Sequence, residues 1–80
     1  LYGLGLRAER DGDSAVGHVA ELRGLTHLAL CGAGFTDAAV PRLAKVAGVK
    51  EIRLEETRIT DEGVSRLQDL LPDCVVEQFP

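Results

Sequence analysis

Short runs of alternating apolar and polar residues return every 24 residues along this chain. Pairs of aliphatic residues two positions apart mark these runs: Leu4 and Leu6, Leu28 and Leu30, Ile52 and Leu54. Side chains at this spacing lie on one face of an extended strand. The pattern therefore predicts a strand near the start of each of three blocks, 1–24, 25–48 and 49–72.

A helical pattern follows each predicted strand. Apolar residues there recur mostly at three-residue steps: Val16 and Val19, then Val40, Leu43 and Val46, then Val64, Leu67 and Leu70. This spacing is typical of the buried stripe of a short helix. Thr36–Asp37 and Thr60–Asp61 supply groups that cap a helix start, while Gly48 and Pro72 are stop signals. Each block is thus predicted to fold as strand, loop and short helix.

A fixed period in this range predicts a stacked architecture. One strand–helix unit cannot bury its own apolar face, whereas three stacked units form a continuous core. We therefore expect one α/β domain over residues 1–80, a solenoid with a short parallel sheet on one side and helices on the other. Residues 73–80 are expected to add a C-terminal edge strand, with Val76 at the position of Leu28 and Ile52.

The second and third blocks resemble leucine-rich repeats. The resemblance rests on Leu25-x-x-Leu28-x-Leu30 with Phe35-Thr36-Asp37-x-Ala39-Val40-x-x-Leu43, and on Val49-x-x-Ile52-x-Leu54 with Ile59-Thr60-Asp61-x-Gly63-Val64-x-x-Leu67. The third block is similar to the cysteine-containing and bacterial repeats that have helical convex sides. The resemblance implies a curved stack whose sheet lines a concave face and binds a protein. Together with the use of Ala, Gly and Arg, it favours a bacterial origin.

The first block departs from this repeat, as terminal repeats often do. Asp11 stands at the buried position of Phe35 and Ile59, and Gly12 replaces the capping threonine. The family's asparagine-like loop position falls on Glu9, Ala33 and Thr57. Of these, we expect Thr57 to hydrogen-bond into its own turn.

Strand positions that the core does not use are expected to face outward in rows across the sheet, on strands about 4.8 Å apart. The predicted rows are Arg7, Cys31 and Glu55; Gly5, Ala29 and Arg53; and Gly3, His27 and Glu51. Tyr2, Thr26 and Lys50 are also assigned outward. The partner-binding residues predicted from this placement are Arg7, His27, Cys31, Lys50, Glu51, Arg53 and Glu55, centred on Arg53 and Glu55. Arginine is enriched at interface hot spots, although a solvated face without a partner remains the alternative.

Metal, cofactor and catalytic chemistry are not expected. His27 and Cys31 are four residues apart, about 13 Å on a strand, too far to share a zinc ion or a proton. The acidic residues Glu51, Glu55, Glu56, Asp61 and Glu62 are interpreted as solvated charges and helix-start residues. Because Asp61 is interpreted as a helix-start residue, we expect Asp61→Ala to lower the melting temperature without affecting binding.

Net charge and the length of the apolar runs limit the classes of partner that this chain is expected to bind. The net charge of −4 argues against a general nucleic-acid or anionic-membrane binder, and the apolar runs are too short to span a membrane.

Cys31 and Cys74 lie about two repeats apart, so free thiols are expected. The chain begins Leu1–Tyr2 and contains no Met, so we expect a mature or excised segment. The compartment stays open, with the cytoplasm slightly favoured.

The favoured function is a non-enzymatic protein-interaction module. The alternative is a structural or self-associating fragment of a longer repeat protein, because exposed terminal strands tend to pair with further strands.

Overall fold

The computed structural model shows a parallel sheet packed against three helices. It describes residues 2–22, 24–46 and 48–79, and for Tyr2 it describes the backbone alone. The strands are β1 (Tyr2–Arg7), β2 (Leu25–Cys31), β3 (Glu51–Glu55) and β4 (Val75–Phe79). The helices are α1 (Gly12–Val19), α2 (Val40–Leu43) and α3 (Asp61–Leu70), and a 3₁₀ turn at Asp37–Ala39 leads into α2. The sheet order is β1-β2-β3-β4, all parallel, so the predicted α/β class, parallel sheet and C-terminal strand are confirmed. Leu1, Pro80 and the outward assignment of the Tyr2 side chain lie outside the described residues.

The strand register repeats the sequence period. Paired residues are 24 positions apart in all three strand pairs, as in Gly3 with His27, His27 with Glu51 and Glu51 with Val75. The one irregularity lies at the start of β1, where Tyr2 pairs with Leu25. The three predicted rows are confirmed, and Val76 pairs with Ile52 as expected.

The core lies between the sheet and the helices. Leu28, Leu30, Ile52 and Leu54 are buried on the helix-facing side of β2 and β3, and Leu4 and Leu6 of β1 are half-buried. The helices contribute the other side of this core through the buried side chains of Val16, Val40, Leu43 and Leu67. The alternation in the strands and the three-residue steps in the helices therefore mark one shared apolar layer.

Two residues depart from their predicted environments. Leu70 was expected in the buried stripe of α3, yet it is 50% exposed, whereas Val46 at the equivalent position is 1% exposed. The reason is position, because α2 packs between α1 and α3, while α3 packs against α2 and β4. Thr26 was expected outward but is 8% exposed, because strict in–out alternation in β2 begins only at His27.

Threonine and aspartate side chains join successive blocks. Thr36 and Thr60 are helix N-caps, as predicted, accepting from the N–H groups of Ala38 at 3.2 Å and Gly63 at 3.1 Å. The Asp37 carboxylate, however, accepts from both the N–H and the hydroxyl of Thr60, each at 2.8 Å. Asp13 accepts the same two bonds from Thr36. These aspartates therefore link each helix start to the next block, a role that the sequence analysis missed.

The first block departs from the repeat for a packing reason. The ring of the fully buried Phe35 lies against Gly12, and a Cβ added there would stand 2.7 Å from Cδ1 of that ring. A threonine at position 12 would therefore collide with the aromatic ring of the following block. In the third block, the smaller Ile59 fills the position of Phe35 and is 2% exposed.

The structure also accounts for the loop position in the third block. Thr57 Oγ1 accepts a hydrogen bond from the Ile59 N–H at 3.4 Å, which confirms the predicted bond into its own turn.

Replacing Gly12 with Ala should lower the free energy of unfolding by about 1 to 3 kcal/mol, because the added methyl overpacks the contact with Phe35. Gly17→Ala on the same helix is the matched control, since an added Cβ there meets nothing within 4 Å. The control should gain up to about 1 kcal/mol from helix propensity. Urea denaturation of both variants checks the pair, and a stabilising Gly12→Ala would contradict the packing argument.

Replacing Asp37 with Ala should cost about 1 to 2 kcal/mol, because it removes two hydrogen bonds between successive blocks. Asp61→Ala is the matched control, since Asp61 also opens a helix whose N-cap is threonine. Its loss should be about 0.5 kcal/mol, from the helix dipole alone. Thermal unfolding compares the two, at about 4 to 8 °C per kcal/mol in a domain of this size. Equal losses would show that the bridging bonds contribute nothing.

Candidate functional site

The open face of the sheet is the side that points away from the helices. It consists of the three confirmed rows extended onto β4: Gly3, His27, Glu51 and Val75; Gly5, Ala29, Arg53 and Glu77; Arg7, Cys31, Glu55 and Phe79. Every position in these rows is exposed or half-buried. The structure thus brings together six of the seven predicted site residues and adds three residues of β4.

Arg53 and Phe79 form the most specific contact of the open face. The guanidinium carbon of Arg53 lies 4.9 Å from the centroid of the Phe79 ring, within the range of a cation–π interaction. The two residues are diagonal neighbours on β3 and β4. The contact holds an exposed arginine in a defined position, which reduces the entropy lost when a partner binds it. Phe79 was not among the predicted site residues, although its alternation with Val75 and Glu77 in the C-terminal strand was the available signal.

A second polar group surrounds His27. Its Nδ1 lies 2.8 Å from the hydroxyl oxygen of the buried Thr26, and its Nε2 lies 3.9 Å from Oε2 of Glu51 on the neighbouring strand. The side chains of His27 and Glu51 are 59% and 34% exposed, so this pair contributes little to stability. The buried threonine nevertheless positions the imidazole ring above the open face.

Small residues form the floor between these two groups. A shallow cavity of about 200 Å³ lies over Gly3, Gly5 and Ala29, with His27, Glu51 and Arg53 also lining it. An added Cβ at Gly5 would meet nothing within 4 Å. The floor therefore exposes strand backbone and leaves room for one small apolar side chain from outside.

The remaining predicted site residues lie in different settings. Arg7 approaches Glu9 with Nε to Oε1 at 3.7 Å, and both side chains are more than half exposed, so the pair is weak. Lys50 precedes β3 and lies outside the three rows. It is exposed and lines a separate cavity of about 550 Å³, together with Leu70 and Cys74.

The two cysteines are free thiols in different environments. Cys31 is half-buried on the open face, whereas Cys74 is 3% exposed, with its Sγ 3.8 Å from the carbonyl oxygen of Val75. Burial, followed by the negative charge of Glu51, raises the pKa of the Cys74 thiol. A buried thiol with a raised pKa forms little of the reactive thiolate at neutral pH.

Over residues 2–22, 24–46 and 48–79, no group of three or more His, Cys, Asp or Glu residues is arranged to hold a metal ion. Within the same ranges, no helix combines the length and apolar character needed to cross a membrane.

Comparisons with known protein families, with curated proteins and with solved structures found no match for this chain. The candidate site therefore rests on the geometry of the chain itself, namely the open face with Arg53 over Phe79.

Cys31 should react with a maleimide or disulfide reagent faster than Cys74 in the folded protein at pH 7 to 8, because Cys74 is both buried and shifted to a higher pKa. In denaturant the two thiols should react at similar rates. Mass spectrometry of timed, quenched labelling measures both rates, with Cys31→Ser as the control that isolates Cys74. Faster native labelling of Cys74 would contradict its buried placement.

Proposed function

We propose that the chain is a solenoid of three leucine-rich-type repeats that acts as a non-enzymatic protein-interaction module. Support for the repeat architecture comes from equivalent bonds at successive junctions. Strand-end N–H groups of Ala8, Gly32 and Glu56, 24 residues apart, donate to the carbonyls of Cys31, Glu55 and Phe79 at 2.9, 3.0 and 3.2 Å. The two aspartate–threonine bridges add a second repeated contact on the helix side.

The binding role rests on one observation, the arginine held over an aromatic ring beside a floor of small residues. Arg53 and Phe79 supply the arginine and aromatic surface that interface hot spots favour. The floor of Gly3, Gly5 and Ala29 accepts an apolar side chain from the partner. Together they place an apolar floor and an aromatic ring among polar and charged side chains, a mixture that interfaces commonly present.

The charges of the open face define what its partner must offer. Glu51, Glu55 and Glu77 surround Arg53 on β3 and β4. A complementary partner segment therefore presents basic groups to these carboxylates and a carboxylate or carbonyl to Arg53. Because the polar groups stand on a shallow, exposed surface, the proposal is binding by surface complementarity rather than catalysis.

Exchanging the two central charges tests this role. In the Arg53→Glu/Glu55→Arg variant, net charge and composition are unchanged, while the contact of Arg53 with Phe79 and the local charge order are lost. A pull-down from source lysate should capture a protein with the native chain and lose it, by at least about tenfold in yield, with the variant. Such a loss corresponds to about 1.4 kcal/mol, a modest value for one hot-spot arginine.

The control exchanges two exposed charges on α3, as Arg66→Asp/Asp69→Arg, away from the sheet. Circular dichroism first establishes that both variants fold. Capture retained by the helix variant and lost by the open-face variant supports the proposal. Equal capture by all three proteins would overturn it, and concentration-dependent mass without any captured protein would favour the self-associating alternative.

A further inference from the structure

The outer edge of β4 carries backbone groups that point away from the sheet. The Val75 N–H donates to the Lys50 carbonyl at 2.8 Å, and the Phe79 carbonyl accepts from the Glu56 N–H at 3.2 Å, so these odd-numbered residues face β3. By the alternation of a strand, the peptide groups of Cys74, Val76 and Gln78 face the opposite edge. Edges of this kind are templates for the addition of another strand.

The side-chain amide of Gln68 occupies the start of this edge. From α3, its Nε2 donates to the Cys74 carbonyl at 2.6 Å, and its Oε1 accepts from the Val76 N–H at 3.3 Å. These two groups flank Val75, and they are the pair that one residue of a parallel neighbouring strand would bond. A further bond from Nε2 to the Leu71 carbonyl at 3.1 Å fixes the amide at the end of the helix.

We propose that Gln68 acts as a surrogate strand that closes the β4 edge against addition of β1 from a second copy of this chain. β1 is the opposite edge strand of the sheet, and the register of 24 that relates β1 to β2 would seat a second β1 beside β4. We refer to the two hydrogen bonds from Gln68 to Cys74 and Val76 as the lock. An added β1 would make a head-to-tail contact that does not close on itself, so without the lock it would build open chains. The inference concerns the sheet edge and is independent of the binding role of the open face.

A second amide supports closure further along β4. Gln78 stands at the inward position filled by Leu30 and Leu54 on the neighbouring strands. Its Nε2 donates to the Ile59 carbonyl at 2.6 Å. The inward row that would pack against an added strand therefore ends in a hydrogen-bonded polar group rather than an aliphatic one.

Removal of the amide tests the lock through hydrogen exchange. At a concentration low enough for Gln68→Ala to be monomeric, exchange of its Val76 N–H should accelerate roughly tenfold, the equivalent of about one lost hydrogen bond. Gln68→Glu keeps the acceptor for the Val76 N–H but places an oxygen against the Cys74 and Leu71 carbonyls, so it should accelerate this exchange less than Gln68→Ala does. Asp69→Ala, at the adjacent exposed position of α3, is the control and should leave this exchange rate unchanged. Unchanged exchange at Val76 in folded Gln68→Ala would overturn the lock.

Sedimentation velocity over a concentration series tests what the lock prevents. The native chain and Asp69→Ala should remain monomeric, while Gln68→Ala should form species whose mass grows with concentration. The double variant Gly5→Pro/Gln68→Ala should return to monomer. Ala8 donates its N–H to β2, so the N–H of Gly5, an odd number of residues away, faces the free edge of β1, where proline removes it. A Gln68→Ala protein that stays monomeric, or an oligomer that survives Gly5→Pro, would overturn the proposal.

Discussion

Parallel pairing at a constant spacing of 24 residues is the constraint on which the other features depend. Parallel strands cannot be joined by a tight turn, so every strand here returns through a crossover that contains a helix. Because each crossover returns the chain to the sheet after the same 24 residues, equivalent residues fall beside one another in every strand pair, apart from Tyr2 at the start of β1. A single sequence position thus becomes a row across the sheet, either in the core or on the open face.

The helix side needs its own means of keeping this spacing, and the aspartate bridges supply it. Asp13 and Asp37 each hold the capping threonine of the next block through two bonds. Each threonine hydroxyl donates to the carboxylate and accepts from its own helix, so one side chain serves both the cap and the junction. Asp61 has the same sequence context, but its described role is limited to the first turn of α3. An aspartate at this position therefore contributes more to stability where the capping threonine of a following block lies within hydrogen-bond distance.

Periodicity predicted the features that depend on local spacing. The rows of the open face, the threonine caps and the pairing of Val76 with Ile52 all follow from positions counted along one chain. The features that were missed depend on neighbours distant in sequence. Leu70 has the spacing of a buried residue, yet it is 50% exposed near the end of α3, which packs against α2 and β4 and has no further helix beyond it among the described residues. The Arg53 contact with Phe79 was missed because it joins two strands diagonally, and a row-by-row prediction considers only direct neighbours.

The open face and the β4 edge have opposite requirements, and both involve β4. The proposed binding role requires Phe79 to remain accessible at the rim, where its ring holds Arg53. A fifth strand beside β4 would place new side chains next to Glu77 and Phe79 and change both the charge and the access around that arginine. A glutamine on α3 can close the edge without covering the face, because its amide bonds backbone groups in the plane of the sheet. An added hydrophobic residue could not do the same, since it would leave the Cys74 carbonyl and the Val76 N–H without these bonds. An amide is thus the side chain whose paired donor and acceptor match a strand edge while leaving the adjacent surface free.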